Sequence, residues 1–306
     1  MEGQKKVFVL GASNVDIIGY PHHKLIMKDA NPGDMKISAG GVGRNIAHNL
    51  KLLGFNVHLA SLFGDDPLSK FLIKNCQENG LNISSSLVVK NQTASSFIAI
   101  LDHSNDLALG ISAMEIYNEK NALKLIKVLP EKINAHYMIL ETNYPEKALN
   151  KIIQKYPRKK FVLDTVSGPK ARRSLKILDK LYILKTNLLE AQNLSGIEVK
   201  ENNYDDLVKY FLDKGVKKVF ITLGKNGVVF GEKDMIFHKK PIPTQIVNTI
   251  GAGDSFVAGL VLADSLSMNI EKMARFGMAA ASITVQSKLA VNPEMSYKNI
   301  LSVLGN

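Results

Sequence analysis

Short apolar runs alternate with longer stretches of helical periodicity over most of this 306-residue sequence. The runs lie at 7–10, 57–63, 137–140, 161–163, 182–184 and 219–223, and each predicts a buried β-strand. Segment 46–53 has the apolar spacing of one helix face, with Gly54 as its expected C-terminal cap. Another helix is expected to begin at Pro67, capped by Asp66, and to end at Gly80. The alternation predicts an α/β fold with a doubly wound, mostly parallel sheet between two layers of helices.

Two insertions interrupt this alternation. Residues 14–39 show little helical periodicity, whereas residues 92–112 predict two strands, 96–101 and 107–111, around the polar turn 103–106. We expect both insertions to form one small β-sheet lid on a main domain made of residues 1–13, 40–91 and 113–306. A projecting sheet has exposed edges and an apolar face, so we expect a ligand, a second copy of the chain, or both to cover it.

The composition excludes several classes of protein. With 45% hydrophobic and 22% charged residues, the chain has the balance of a globular protein with a large core. The single cysteine, Cys76, excludes an internal disulfide and a cysteine-rich metal site, and it favours a cytoplasmic location. No apolar run has the length of a membrane span, and the N-terminal segment lacks the pattern of a signal peptide, so we expect no membrane association.

The formal net charge of +11 raises the question of a nucleic-acid partner. The densest basic clusters, 158–160 and 170–173, have no interleaved aromatic residues of the kind that stack on bases. We therefore expect solvated surface and no nucleic-acid partner, and a positive field of this kind also suits a polyphosphate substrate.

The glycine-rich turn before Asp254 is the strongest indication of chemistry. Gly251, Ala252 and Gly253 precede Asp254, and an apolar helix is predicted to follow. Small residues let a phosphate approach the free N–H groups of residues 252–254, where the helix dipole favours negative charge. Asp254 is suited to accept a hydroxyl proton during phosphoryl transfer, although a helix N-terminus predicts a weak base. The alternative is that Asp254 only caps a buried helix.

A second glycine-rich segment, Gly40-Gly41-Val42-Gly43-Arg44-Asn45, leads into the predicted helix 46–53. Its glycines resemble the start of a dinucleotide fingerprint, but Ile46 stands in place of the third glycine and the segment does not follow the first strand. A nicotinamide-dependent dehydrogenase is therefore disfavoured. We expect close approach of the backbone to a sugar, with the Asn45 amide as donor and acceptor.

Asn14 and Asp16 directly follow the first predicted strand. Loops at the carboxyl ends of parallel strands line the ligand crevice, so an amide and a carboxylate there can jointly bind vicinal hydroxyls. A local Asx turn is the alternative.

Two later segments are candidates for a nucleotide site. Asn187 and Glu190 are three residues apart on a predicted helix face and suit the water shell of Mg²⁺ on ATP, the alternative being a capping box on a surface helix. Thr222, Gly224 and Gly227 form a strand end and a turn that either cradles the nucleotide or makes a simple hairpin.

In this order, the elements resemble the PfkB carbohydrate kinases, which have the ribokinase-like fold, over essentially the whole chain. The resemblance rests on Gly40, Gly41 and Asn45, on the N-x-x-E motif at 187–190, and on G-A-G-D at 251–254. Within the family, segments 11–16, 31–33, 40–47, 93–97 and 187–191 are similar to bacterial pseudouridine kinases. The resemblance implies transfer of the ATP γ-phosphoryl group to the 5′-hydroxyl of a ribosyl nucleoside, preferably pseudouridine.

The resemblance also implies a role for each matching residue. Asp254 is implied as the catalytic base, and Gly251, Ala252 and Gly253 as the anion hole. Implied substrate ligands are Asn14, Asp16, Gly40, Gly41, Asn45, Thr93 and Glu141, and implied nucleotide ligands are Asn187, Glu190, Thr222, Gly224 and Gly227. Mg²⁺ is implied at Asn187 and Glu190 through water, and K⁺ at Asn248 and Ile250 beside residues 287–292. Paired lids imply a homodimer.

Two positions depart from the family pattern. Ala113 stands where related pseudouridine kinases tend to carry Asp, and Asn248 replaces the first Asp of the usual D-T-T-G-A-G-D. The first change bears on recognition of the base, and the second removes a carboxylate near the K⁺ site. The alternatives are a ribokinase or another sugar or nucleoside kinase of the family, and a non-catalytic regulator that binds a sugar or nucleoside.

Overall fold

A computed structural model describes residues 5–104, 106–199 and 203–305. The strands are β1 (Lys6–Leu10), β2 (Asn14–Pro21), β3 (Gly33–Gly40), β4 (Asn56–Ala60), β5 (Leu62–Phe63), β6 (Leu87–Val88), β7 (Ser96–Leu101), β8 (Leu107–Ala113), β9 (Tyr137–Glu141), β10 (Lys160–Asp164), β11 (Leu181–Asn187), β12 (Lys218–Thr222), β13 (Val228–Glu232) and β14 (Met235–Lys239). The α-helices are α1 (Val42–Leu52), α2 (Pro67–Glu78), α3 (Glu119–Val128), α4 (Glu146–Lys155), α5 (Gly168–Ala171), α6 (Leu188–Ser195), α7 (Asp205–Asp213), α8 (Ala252–Ser265), α9 (Ile270–Val285) and α10 (Tyr297–Val303). Short 3₁₀ helices span Glu115–Tyr117, Arg172–Lys180 and Gly224–Asn226.

The main sheet has the strand order β14-β13-β12-β11-β10-β9-β1-β4. Neighbours from β4 to β12 pair in parallel, while β13 and β14 pair antiparallel and form one edge. The prediction of a doubly wound, mostly parallel sheet is confirmed. The parallel strands end at one common edge, which is where such folds place their ligands.

Helices cover both faces of this sheet, as the alternating side chains of β1 show. Val7 and Val9 pack into a core with α1, α8, α9 and α10, whereas Phe8 and Leu10 pack into a second core with α3, α4, α6 and α7. Because both faces are buried, the strands appear in the sequence as continuous apolar runs rather than alternating ones. Within the described residues, no helix is both long and apolar enough to cross a membrane.

Helix α8 is the central helix of the first layer. Residues 254 to 265 are all buried, because α8 packs against the main sheet on one side and against α1 and α9 on the others. A helix that is apolar on nearly every face is typical of such a position.

The second sheet is formed by the two insertions, in the order β3-β2-β7-β8. Strand β2 pairs antiparallel with β3 and parallel with β7, and β7 pairs antiparallel with β8. The prediction of one small separate sheet is confirmed, and residues 14–39, which lack helical periodicity, form two of its strands. The boundaries that separate a lid domain from a main domain remain a prediction.

One predicted strand is divided in the structure. The apolar run 57–63 was expected to be continuous, but β4 ends at Ala60 and Leu62 begins β5, which pairs with β6 in a two-stranded sheet. Ser61 lies between them, and its hydroxyl and N–H bind Tyr117 and Ser86 rather than a sheet neighbour. A run of apolar residues marks burial, and it does not specify which partner strand each residue takes.

Candidate active site

Asp254 lies in the first turn of α8. Gly251 precedes this helix with φ 81° and ψ −5°, and a Cβ atom there would lie 1.9 Å from the Ala290 carbonyl oxygen. Glycine is required at this position for both reasons. The turn places Asp254, which is 7% exposed, where Asn45 Nδ2 donates to its Oδ2 at 2.9 Å. The structure therefore brings the two glycine-rich segments of the sequence together at one carboxylate.

Burial raises the pKa of Asp254 to about 7, and the nearby Asp164 carboxylate adds to the rise. The hydrogen bond from Asn45 and the Lys185 ammonium lower the pKa, and Glu141 raises it further. The expectation of a weak base is therefore wrong, because desolvation outweighs the favourable field of the helix N-terminus. A carboxylate with this pKa is suited to general-base chemistry near neutral pH.

The main-chain donors beside Asp254 differ in part from the prediction. The Ala252 N–H donates to the Thr249 carbonyl at 3.3 Å, so the expectation that it is free is wrong. The N–H groups of Gly253 and Asp254 lie in the first turn, where a helix offers no acceptor of its own. They remain the main-chain donors that an anion would meet.

Lys185 and Asp164 form a buried ion pair at this edge of the sheet. The two residues are register partners on β11 and β10, and Lys185 Nζ lies 2.9 Å from Asp164 Oδ2. Burial alone would lower the pKa of Lys185, but Asp164 and other nearby carboxylates raise it overall, so the side chain stays charged. A Cβ atom on Gly253 would lie 2.6 Å from Lys185 Nζ, which places the ammonium against the glycine turn.

Sequence analysis assigned no role to Lys185 or Asp164. The available indication was a charged residue at the carboxyl end of each of two apolar strands. Such residues are costly to bury without a partner, so their presence in two neighbouring strands predicts a pair. That argument needs the strand order, which the sequence alone did not provide.

Asn14 and Asp16 lie on β2 in extended backbone, so the alternative of an Asx turn is wrong. Asn14 Nδ2 donates to Asp16 Oδ1 at 2.5 Å, and Asn14 Oδ1 is buried with no hydrogen-bond partner among the described residues. Burial raises the pKa of Asp16 to about 6. A Cβ atom on Gly40 would lie 2.1 Å from Asp16 Oδ2, so Gly40 makes room for this carboxylate.

The glycines at the start of α1 allow two backbone segments to touch. Gly41 has φ 98°, and a Cβ atom there would lie 2.4 Å from the Ala12 carbonyl oxygen. A Cβ atom on Gly43 would lie 2.3 Å from Gly11 Cα. Close backbone approach was predicted here, and the partner that the structure shows is the loop after β1. Contact of Gly41 with a sugar remains a prediction.

Glu141 and Thr93 occupy different environments. Glu141 is fully buried at the end of β9, where its two carboxylate oxygens accept from Ala12 N–H at 2.7 Å and from Asn143 N–H at 2.8 Å. Burial raises its pKa to about 7. Thr93 is exposed, just before β7. Glu141 thus fixes the loop that leads into Asn14, and direct contact of Glu141 or Thr93 with substrate remains a prediction.

Asn187 and Glu190 form a reciprocal capping box on α6. The Glu190 N–H donates to Asn187 Oδ1 at 2.9 Å, and the Asn187 N–H donates to Glu190 Oε2 at 3.0 Å. The capping-box alternative is thus present, but Glu190 is only 4% exposed, so the helix start is not a surface feature. Thr165 Oγ1 also donates to Glu190 Oε2 at 2.6 Å. The Glu190 carboxylate is thus buried and hydrogen-bonded at both oxygens, which a helix cap alone does not require.

The segment from Thr222 to Gly227 connects β12 to β13 as a hairpin. Thr222 Oγ1 donates to the Thr186 carbonyl at 3.3 Å. Gly224 and Gly227 both have positive φ, and a Cβ atom on Gly227 would lie 2.0 Å from the Lys239 carbonyl oxygen. The hairpin alternative is confirmed, and contact with a nucleotide remains a prediction.

The family model of the pfkB family carbohydrate kinases matches residues 4–296. This chain belongs to that family. It is therefore a phosphotransferase that acts on a hydroxyl group of a sugar or nucleoside.

Individual relatives agree with this membership. Pseudouridine kinase of Escherichia coli (strain K12) is 31% identical over 100% of this chain and 98% of its own length. Ribokinase of Staphylococcus aureus (strain COL) is 27% identical over 92% of this chain and 93% of its own. The structure of Arabidopsis thaliana ribokinase complexed with ribose and ATP superposes with a TM-score of 0.80 at 22% identity, covering 99% and 100% of the two chains. This last likeness shows the ribokinase fold.

In this pfkB kinase, a cavity of about 1170 Å³ lies between the small sheet, the helices α1 and α2, and two loops. The small sheet contributes Asp16, Ile18 and Phe97, among others, and α1 and α2 contribute Arg44, His48 and Asn75. The loops 247–250 and 288–291 also line it. The cavity therefore joins the predicted sugar ligand Asp16 to the loop that precedes the glycine turn.

The two loops predicted to hold K⁺ are adjacent. Asn248 Nδ2 lies 3.5 Å from the Lys288 carbonyl oxygen, and the Ala290 carbonyl faces Gly251. Asn248 Oδ1 accepts from the Ile250 N–H at 3.0 Å, so the amide that replaces a carboxylate here caps its own loop. Among the described residues, no group of three His, Cys, Asp or Glu side chains is suited to bind a metal ion. The ligands that these two loops offer to K⁺ are main-chain carbonyl oxygens.

Proposed function

We propose that this kinase transfers the γ-phosphoryl group of ATP to the 5′-hydroxyl of a ribosyl nucleoside, with pseudouridine as the preferred acceptor. The observation that carries the proposal is the 2.9 Å hydrogen bond from Asn45 to Asp254, which joins the segment predicted to bind a sugar to the segment predicted to carry out phosphoryl transfer. The similarity to a pseudouridine kinase over the whole chain supports the acceptor.

Asp254 is the proposed general base. The acceptor hydroxyl approaches its carboxylate, and the proton passes to Asp254 as the oxygen bonds to the γ-phosphorus and the bond to the β-phosphate oxygen breaks. In this proposal the N–H groups of Gly253 and Asp254, together with the Lys185 ammonium against the glycine turn, stabilise the negative charge of the transferred group. ADP and the 5′-phosphate are the products.

The acceptor is held by its sugar. Asn14 and Asp16 present an amide and a carboxylate side by side, which suits two neighbouring hydroxyls. The unpartnered, buried Asn14 Oδ1 has an acceptor site that a sugar hydroxyl would satisfy.

Mg²⁺ bound with ATP would neutralise phosphate charge and orient the γ-phosphoryl group. Both Glu190 oxygens are already bonded to Asn187 and Thr165, so these residues fit a water-mediated role better than direct coordination. K⁺ fits the carbonyl-rich pair of loops around Asn248 and Ile250. The free, buried Cys76 is consistent with work in a reducing cytoplasm.

We also propose a homodimer through the lid. On one face of the small sheet, Ile17 pairs with Ile37 and Ile98, and Ile98 pairs with Ile111. Ile37, Ile98 and Ile111 are exposed, and so are Met35 and Leu109 in the adjoining row. A contiguous apolar sheet face of this kind favours a second lid as its cover.

The deciding experiment measures ADP release from Mg·ATP with pseudouridine, uridine, cytidine, adenosine, ribose and fructose 6-phosphate, with and without K⁺. We expect the fastest turnover with pseudouridine, and loss of turnover by about 10²–10⁴-fold in Asp254→Asn because a general base is removed. Faster turnover with another acceptor would refute the pseudouridine assignment and leave the kinase mechanism in place.

A ribokinase is the second candidate. The observation in its favour is Ala113, which ends β8 opposite Ser96. Related pseudouridine kinases tend to carry an aspartate at this position. Preference for ribose in the same panel would support it. Acceptor binding without any turnover, unchanged by Asp254→Asn, would instead support a non-catalytic regulator.

A further inference from the structure

Arg44 is a buried cation in the first turn of α1 that the proposed mechanism does not use. It is 5% exposed, and no carboxylate among the described residues lies within ion-pair distance of it. Its guanidinium instead faces two amides. Nη1 donates to Asn45 Oδ1 at 3.1 Å, and Nη2 donates to Asn75 Oδ1 on α2 at 2.6 Å.

The contact with Arg44 determines which way the Asn45 amide points. A guanidinium only donates hydrogen bonds, so Asn45 must present its oxygen to Arg44. Asn45 Nδ2 must then face the opposite side, where it donates to Asp254 Oδ2 at 2.9 Å. If the amide were rotated by half a turn, its NH₂ group would face the Arg44 N–H and its oxygen would face the Asp254 carboxylate. Both contacts would then be repulsive.

The Arg44 guanidinium is held from its other side by α2. Asn79 Nδ2 donates to the Asn75 carbonyl at 2.7 Å and lies 3.4 Å from Asn75 Oδ1. Asn75 Oδ1 therefore faces donors on both sides, so this amide also has one orientation. A continuous series of donors and acceptors connects α2 to Asp254 through Arg44 and Asn45.

We propose that Arg44 is a positioning residue that fixes the Asn45 amide so that Asn45 donates to the ionised carboxylate of Asp254. The proposal rests on the proposed role of Asp254 as the base. Without Arg44 the amide is free to rotate, and the ionised form of Asp254 loses its hydrogen bond for part of the time. The acid limb of the pH–rate profile then moves to higher pH.

Several other charged and titratable groups surround the two residues and stay unchanged in the test. Those near Asp254 are Asp164 on β10, Lys185 on β11 and Glu141 on β9, and those near Arg44 are Asp16 on β2, His48 on α1 and Cys76 on α2. Loss of the Arg44 charge alone would also act on Asp254, so the test must separate charge from orientation.

The test is a double-mutant cycle on the pH dependence of kcat/KM with the acceptor that the wild-type enzyme turns over. Arg44→Met should raise the apparent pKa of the acid limb and lower kcat at pH 6 by about tenfold, with little change in KM for Mg·ATP. Arg44→Lys keeps the charge and a donor and should restore most of the profile. In Asn45→Ala, adding Arg44→Met should shift the profile much less than it does in the wild-type background, because the amide that Arg44 orients is gone and only the loss of the Arg44 charge remains.

The outcomes separate this proposal from the proposed function. Additive effects of Arg44→Met and Asn45→Ala would overturn the orientation mechanism, and so would a lower Tm with an unchanged pH profile. Arg44→Gln, which is uncharged, polar and shorter than arginine, repeats the test should Arg44→Met fail to fold. Arg158→Met, on the exposed surface, is the matched control. Full turnover in Asp254→Asn would refute the base assignment itself.

Discussion

The folded protein disfavours the ionised form of Asp254. Burial and the neighbouring carboxylate of Asp164 raise its pKa to about 7, well above the ordinary range of an aspartate. The folded state therefore binds a proton more tightly than the unfolded chain does. Stability from this group is present at low pH and is lost as the pH rises through about 7. A base adapted to neutral pH is thus also a source of instability above it.

We predict that Asp254→Asn makes the protein more stable while it removes kinase activity. The rise in Tm over wild type should be larger at pH 8 than at pH 5, because the wild-type carboxylate is ionised in the folded state only at the higher pH. Thermal unfolding at the two pH values measures this. Asp234→Asn, in the exposed β13–β14 turn, serves as control, and an equal Tm change at both pH values would contradict the expectation.

Lys185 is expected to serve both stability and activity, and the two effects can be separated. Lys185→Met leaves Asp164 buried without its partner, which should cost about 3–5 kcal/mol of the free energy of unfolding. Adding Asp164→Asn removes that charge and keeps an oxygen for the Val166 N–H, so stability should return. Denaturant unfolding and ADP release measure the two effects. Recovery of activity in the double variant would show that Lys185 does not assist phosphoryl transfer.

At the level of elements, the turn into α8 depends on a glycine that is limited both by its backbone angles and by its surroundings. Gly251 and Gly196 each have positive φ at a helix end, 81° and 75°. They differ in their neighbours, since a Cβ atom at 196 would meet nothing within 4 Å, whereas one at 251 would overlap the Ala290 carbonyl. The pair therefore separates backbone strain from steric overlap.

We predict that Gly196→Ala costs roughly 1 kcal/mol, the usual strain of a left-handed non-glycine residue, and leaves activity unchanged. Gly251→Ala should destabilise the protein more, because the loop 288–290 must move to make room for the methyl group. It should also abolish activity, because the N–H groups of the turn no longer point towards the transferred group. Denaturant midpoints and turnover of both variants measure this. Equal effects of the two substitutions would show that the Ala290 contact does not matter.

At the scale of the whole molecule, α8 extends from one edge of the parallel sheet to the other. Asp254 lies in its first turn at the carboxyl edge, and Asp264 near its end accepts hydrogen bonds from four adjacent strands at their amino ends. The donors are Tyr137 of β9 at 2.7 Å, Lys160 of β10 at 3.2 Å, Tyr182 of β11 at 2.7 Å and Lys218 of β12 at 2.8 Å. This cluster fixes the far end of the helix that carries the proposed base.

We predict that Asp264→Asn lowers stability by about 3 kcal/mol at pH 7, because it leaves Lys218 and Lys160 beside a neutral amide. Although burial opposes it, hydrogen bonds from Lys218 and the two tyrosines lower the pKa of Asp264 to about 2. Its contribution is therefore present above pH 4 and is lost as the pH falls from about 4 to 2. Guanidinium unfolding measures the first effect, and an acid-unfolding curve unchanged by the substitution would contradict the second.

Local patterns in the sequence were sufficient for much of the fold. Apolar runs of strand length and helical periodicity depend on each residue and its near neighbours, so they predicted the parallel strands of the main sheet and the helical layers without any knowledge of contacts. The glycines before Asp254 also depend on local geometry, because a left-handed turn at 251 permits little else. The division of 57–63 into β4 and β5 did not follow from local pattern, since it depends on which strand lies alongside.

The sequence by itself determined that Asp254 stands at a helix N-terminus behind a glycine turn, and that Asn45 lies near the start of another helix. Only the tertiary structure decided that the two side chains meet, that Lys185 pairs with Asp164 beside them, and that Arg44 orients the amide. The physical reason is that desolvation and hydrogen bonding act between groups far apart in the chain. For this reason the sequence predicted a weak base, and the fold supplies a carboxylate whose pKa is about 7.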